Sequence, residues 1–241
     1  WGVYNPVTNV TYNLSATDPG DWVGGSNIQT IDAFNSTAVY LTGNGGTFGV
    51  YNPVTNVTYD LRDADPGNWF GTTVSDVVHA FNSTAVYLGI DEGKFGVYNP
   101  VTNVTYDLSA KDPGNWIGAL DGVTAVDAFN STAVYLGLDS GKFGVYNPVT
   151  DVIYDLSASD PGNWMGIGTV NAVRAFNSTA VYVVLNSGVF GVYNPVTNVT
   201  YDLSASDPGN WIGTNTARDV SAFNSTAVYL GIDEGKLGVY N

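Results

Sequence analysis

The 241-residue chain carries 22 acidic and 7 basic side chains, a formal net charge of −15, no cysteine and one histidine. Nucleic acid and anionic membrane surfaces require basic patches, so this charge balance argues against both as partners. The missing thiols exclude disulfides, thiolate metal sites and cysteine nucleophiles, and His79 alone cannot build a multi-histidine metal centre. No apolar run approaches the ~18 residues of a membrane span, so no membrane insertion is expected. A chain opening on Trp1 reads as trimmed or cut from a longer one, so the lack of a visible leader carries no weight.

Self-similarity dominates the sequence. Gly-Val-Tyr-Asn follows Trp1, Phe48, Phe95, Phe143, Phe190 and Leu237, at spacings of 47, 47, 48, 47 and 47 residues. One domain is therefore divided into repeats 1–47, 48–94, 95–142, 143–189 and 190–236, and 237–241 begins a sixth copy. The longer interval comes from one extra residue between Trp116 and Ala128-Phe129.

The second copy shows the elements in chain order. Phe48–Asn52 alternates and stops at Asn-Pro, a turn start. Val57–Leu61 has Val57, Tyr59 and Leu61 on one face and Thr58 and Asp60 on the other, the face expected at a wet rim. Asp65-Pro66-Gly67-Asn68-Trp69 is a turn, because Pro presets φ and Gly adopts what other residues avoid. Val77–Phe81, a turn at Asn82-Ser83 and Thr84–Ile90 form a hairpin, and Asp91-Glu92-Gly93-Lys94 turns back into Phe95. No helical stripe occurs, and β-branched and aromatic residues are frequent throughout.

Four antiparallel strands per repeat predict an all-β fold, a five-bladed β-propeller of four-stranded blades. From the innermost position outward, the strands are A (Val77–Phe81), B (Thr84–Ile90), C (Phe95–Asn99) and D (Val104–Leu108). Six copies of C face five of D. The ring is expected to close by pairing of the N- and C-terminal segments, with Trp1–Asn5 and Leu237–Asn241 competing for one slot. A β-solenoid or an open linear array is the alternative architecture.

Such a blade separates its connections. A–B and C–D turns share one edge, and B–C and D–A connections share the other. The first edge holds glycosylation candidates of the Asn-X-Ser/Thr type: Asn35, Asn82, Asn130, Asn177 and Asn224 at A–B turns, Asn9, Asn56, Asn103 and Asn198 at C–D turns, and Asn13 within strand D. The fourth copy replaces its C–D asparagine with Asp151. The second edge holds a repeated Asp/Asn/Trp loop: Asp18, Asp21 and Trp22; Asp65, Asn68 and Trp69; Asp112, Asn115 and Trp116; Asp160, Asn163 and Trp164; Asp207, Asn210 and Trp211. An indole suits the apolar face of a pyranose, and Asp and Asn suit its hydroxyls, so this set is the candidate ligand site. The competing structural reading makes Trp a wedge between blades and Asp a cap on the Pro-Gly turn. Asp32, His79, Asp127, Arg174 and Ser221 occupy one equivalent place in strand A and read as solvated, drifting positions.

The 47-residue period, five copies and Asn-Trp after a Pro-containing turn resemble the tachylectin-type five-bladed propeller lectins. The resemblance implies N-acetyl sugars bound between adjacent blades near the Asp/Asn/Trp segment. Separately, Val-Tyr-Asn-Pro-Val-Thr-Asn-Val-Thr-Tyr-Asp-Leu is similar to the C–D hairpin of kelch propellers. The expected function is an extracellular or cell-surface, multivalent carbohydrate-binding module with glycans as partners, no cofactor or metal, and no enzymatic activity. The alternative is a structural cell-surface or filament-forming repeat protein that self-associates through an exchanged terminal strand.

Overall fold

The computed structural model describes residues 1–5, 7–14, 23, 27–65, 74–160, 164–166, 168–204, 212, 215–224 and 227–240. They form two compact units, 1–107 and 108–241. The first holds a hairpin, β1 (Gly2–Asn5) with β2 (Val10–Asn13), and two four-stranded sheets. These are β3 (Ile28–Asn35), β4 (Ala38–Gly43), β5 (Thr47–Asn52) and β6 (Val57–Asp60), then β7 (Ser75–Asn82), β8 (Ala85–Ile90), β9 (Lys94–Asn99) and β10 (Val104–Asp107). The second holds β11 (Val123–Asn130), β12 (Ala133–Leu138), β13 (Phe143–Asn147) and β14 (Val152–Asp155), followed by β15 (Val170–Asn177), β16 (Ala180–Leu185), β17 (Phe190–Asn194) and β18 (Val199–Asp202). It ends in a three-stranded sheet of β19 (Ala217–Asn224), β20 (Ala227–Ile232) and β21 (Lys236–Tyr240).

Within every sheet, consecutive strands pair antiparallel in sequence order, giving the five blades of a β-propeller fold. No α-helix occurs among the described residues, and no helix is long and apolar enough to cross a membrane. Both copies of strand C at the chain ends are paired, β1 with β2 and β21 with β20.

The repeat motif explains the packing. Strand B is almost continuously apolar because both its faces are covered; Val86, Leu88 and Ile90 are fully buried. The Phe that opens strand C is buried in all four copies that have one, and Phe48, Phe143 and Phe190 each receive the Tyr of the next blade's strand C edge-on. Ring centroids lie 5.4 Å apart for Phe48 and Tyr98, 5.5 Å for Phe143 and Tyr193, and 5.6 Å for Phe190 and Tyr240. One four-residue phrase thus supplies both halves of a contact between neighbouring blades.

Two sequence expectations are corrected. Strand D turns its threonine inward: Thr58, Thr105 and Thr200 are buried, whereas Tyr59, Tyr106 and Tyr201 are about half exposed. The reason is a bond that alternation alone does not foresee. Thr105 Oγ1 donates to Ala64 O at 2.6 Å and Thr200 Oγ1 to Ser159 O at 3.0 Å, each reaching the preceding blade's 3-10 turn. Four of the five polar positions compared in strand A are engaged across blades, Ser221 being exposed. Asp32 Oδ2 accepts from the Ala80 amide at 2.7 Å, with His79 Nδ1 3.5 Å away. Asp127 Oδ2 accepts from the Ala175 amide at 2.6 Å, beside Arg174. Acid in one blade faces base in the next, and Asp127 is 4% exposed.

Candidate functional site

Sequential pairing puts the loop before strand A and the B–C turn on one edge of each blade. The loop of the third copy is described throughout. Asp112 opens a turn in which the Asn115 amide donates to Asp112 O at 3.1 Å, and Asn115 takes a left-handed φ of 49°. Asp112 Oδ2 then accepts from the Ile117 amide at 2.9 Å, closing the loop. In the fourth copy Asp160 Oδ2 accepts from the Met165 amide at 2.7 Å. In these two copies the aspartate is therefore a loop cap.

The two described loop indoles are packing elements. Trp116 and Trp164 are 7% and 6% exposed. Each lies against the glycine of strand C in the blade that follows it. A Cβ on Gly144 would collide with the Trp116 ring, and one on Gly191 with the Trp164 ring. This explains why Phe-Gly-Val-Tyr carries glycine, a signal the sequence offered and spacing alone did not decode. Four buried polar atoms recur in matched pairs without a hydrogen-bond partner among the described residues: Asp112 Oδ1 with Trp116 Nε1, and Asp160 Oδ1 with Trp164 Nε1. Each loop therefore retains one unmatched acceptor and one unmatched donor.

Of the other predicted ligand residues, Asn115 is exposed and Asp65 is partly exposed. Asp18, Asp21, Trp22, Asn68, Trp69, Asn163, Asp207, Asn210 and Trp211 lie outside the described residues.

The third and fourth copies diverge after the tryptophan. In the fourth, the Gly166 amide donates to Gly141 O at 3.1 Å, so the loop folds down on the preceding B–C turn. The third copy carries the extra residue in this segment. Gly118 turns at φ 64° and Leu120 stands 94% exposed. An open recess of about 640 Å³ results, with Gly118–Asp121 on one side and Asp139, Ser140 and Lys142 on the other. Its polar groups are held in place. Asp121 accepts from the Ser140 amide at 2.8 Å and the Ser140 hydroxyl at 2.6 Å. Lys142 Nζ donates to Trp116 O at 2.6 Å and lies 3.3 Å from Asp121. None of Leu120, Asp121, Ser140 and Lys142 was singled out from the sequence; the signals there are the one-residue insertion and the divergence of the segment between the tryptophan and Ala-Phe among copies.

On the opposite edge, the asparagines of both turns have defined backbone roles. Asn82 Oδ1 accepts from the Thr84 amide and hydroxyl at 2.8 and 2.9 Å. At the C–D turn, Asn56 takes φ 57° and its Oδ1 accepts from the Tyr51 hydroxyl at 3.0 Å. Asp151 fills the same slot in the fourth copy. The Lys111 ammonium bonded to it, with the Tyr146 hydroxyl assisting, holds its carboxyl below the usual carboxylate range.

No family model and no curated protein matches the chain. Solved structures similar to it include the computationally designed Ika8 protein, at 18% identity and a TM-score of 0.62, covering 89% of this chain and 58% of that one. The extracellular domain of BT4673 from B. thetaiotaomicron aligns at 14% identity and a TM-score of 0.66, over 88% of this chain and 27% of that one. The WD40 β-propeller domain of Doa1 aligns at 12% identity and a TM-score of 0.65, over 89% of this chain and 64% of that one. The chain thus spans less than two thirds of each of these structures. At such identities the likeness establishes the fold, a β-propeller.

Proposed function

We propose that the chain is an extracellular carbohydrate-binding module whose ligand site lies on the loop edge of the third blade. The observation that carries this reading is the recess of the third blade. Its volume falls within the ~300–1,000 Å³ range of small-molecule sites. It combines an exposed apolar wall, Leu120, with fixed donors and acceptors at Ser140, Lys142 and Asp121, the mixture that a sugar's apolar face and hydroxyls require. The buried Trp116 and Trp164 rings do not serve as the stacking platform; they hold the loop that shapes the site. An extracellular location is supported by the likeness to an extracellular domain.

A glycan array probed with the intact chain tests the reading. Binding to a subset of glycans, abolished by Leu120→Glu with an unchanged melting temperature, is the expected result. Silence across all sugars overturns it. A second reading, a structural repeat protein assembling through its terminal strands, draws on the exposure of Leu237 at 76% and of Thr11, whose equivalents in other blades are buried. Concentration-dependent association in sedimentation, together with a silent array, would favour it.

A further inference from the structure

The Asn-X-Thr sequons share one motif, yet the structure divides them into two kinds. At four A–B turns the sequon is open. The Oδ1 of Asn35, Asn82, Asn130 and Asn177 accepts from the amide of the threonine two residues on, at 2.7–2.8 Å. It also accepts from that threonine's hydroxyl, at 2.7–2.9 Å. Thr37, Thr84, Thr132 and Thr179 are all exposed. None of the four asparagines has a left-handed backbone. The turn therefore needs only an acceptor oxygen, which Asp supplies as well as Asn. The amide nitrogen Nδ2 makes no bond among the described residues, and it alone distinguishes Asn from Asp here.

At the C–D turns the sequon is closed. Asn56, Asn103 and Asn198 sit at φ 57°, 55° and 55°, where Asn and Asp are favoured for backbone reasons. Asp151 shows that the slot accepts either. The sequon threonines Thr58, Thr105 and Thr200 are 1–3% exposed. The hydroxyls of Thr105 and Thr200 are committed to carbonyls of the preceding blade. Asn9, with the same turn but an exposed Thr11, sorts with the open sequons.

We infer that Asn35, Asn82, Asn130 and Asn177 are N-glycosylation acceptors in the folded protein, and that the C–D sequons of the second, third and fifth copies are structural. A transferase that reads Asn-X-Thr needs both the amide nitrogen and the threonine hydroxyl within reach. The A–B turns present both; the C–D turns bury the second. In the reaction, Nδ2 attacks C1 of an oligosaccharide carried on a polyprenyl diphosphate. The Nδ2–C1 bond forms, the C1–O bond breaks, the diphosphate leaves with the electron pair, and Nδ2 gives one proton to a base on the transferase. The inference does not depend on the carbohydrate-binding reading, which concerns the other edge of the blade.

The test uses the purified, folded chain with a polyprenyl-diphosphate-linked oligosaccharide and a single-subunit oligosaccharyltransferase, followed by peptide mapping by mass spectrometry. Occupancy at Asn35, Asn82, Asn130 and Asn177 is expected to exceed that at Asn56, Asn103 and Asn198 by about tenfold or more, because reaching the latter requires local opening. Unfolding in urea should bring the two groups to parity. Asn82→Asp keeps the turn acceptor and should lose the modification at that turn, whereas Thr84→Ser should retain it. Unmodified A–B turns in the folded chain, or equal occupancy of both groups, would overturn the inference.

Discussion

The two edges of a blade repeat with different fidelity. On the turn edge, four A–B turns place Asn Oδ1 on the same two threonine donors within 0.2 Å. On the loop edge, Asp112 and Asp160 cap their loops alike and Trp116 and Trp164 pack alike, but the chain beyond them diverges. One copy opens a recess at Leu120; the next folds down through Gly166. The A–B asparagine, the loop aspartate and the tryptophan are kept in every copy. Freedom to vary begins after the tryptophan. Sameness among repeats therefore marks structure here, and departure from sameness marks the candidate binding site.

The largest expected effect would break this comparison if absent. Trp116→Ala should cost about 3–5 kcal/mol in chemical denaturation, the range for removing a large buried aromatic. A variant of wild-type stability would return the indole to the list of ligand contacts. Next, Asp127→Ala leaves the Ala175 amide without its acceptor, and about 1–3 kcal/mol of destabilisation is expected from that loss. Asp32→Ala should cost less, because the Asp32 side chain is 33% exposed and water can replace it. Equal costs would show that the two cross-blade acids are not distinguished by burial.

The remaining effect is on pH. Burial pushes the phenols of Tyr40, Tyr87 and Tyr135 up to about 12 from 10.0. Their neutral forms are favoured in the folded chain, so this contribution is fully present below pH 10 and is lost as pH rises from 10 towards 12. Thermal melts across that window should show a progressive fall in stability. A flat profile would mean that these phenols are more solvated than their 4% exposures indicate.

Much of the fold was legible in sequence. The period of Gly-Val-Tyr-Asn gave the blades and their number, and Asn-Pro, Asn-Ser and Asp-Pro-Gly gave the turns. These are local signals, set by backbone preferences and by alternation within a strand. Strand D was misread at Thr105 because its partner, Ala64 O, lies 41 residues away in another blade. The pairing of Asp127 with the Ala175 amide spans 48 residues and escaped for the same reason. Of the candidate site residues, Trp116 and Trp164 are buried and Asp112 and Asp160 cap their loops. Sequence could not distinguish a tryptophan facing a ligand from one lying on Gly144.

The amino-acid order by itself determined the strands, the turns, the copy number and the acidic character of the molecule, because those depend on neighbours along the chain. Tertiary structure decided which threonines are buried, which charges meet across blades, which sequons remain open and where a recess forms. Those outcomes depend on atoms brought together from separate repeats, where one inserted residue or one glycine changes what can touch.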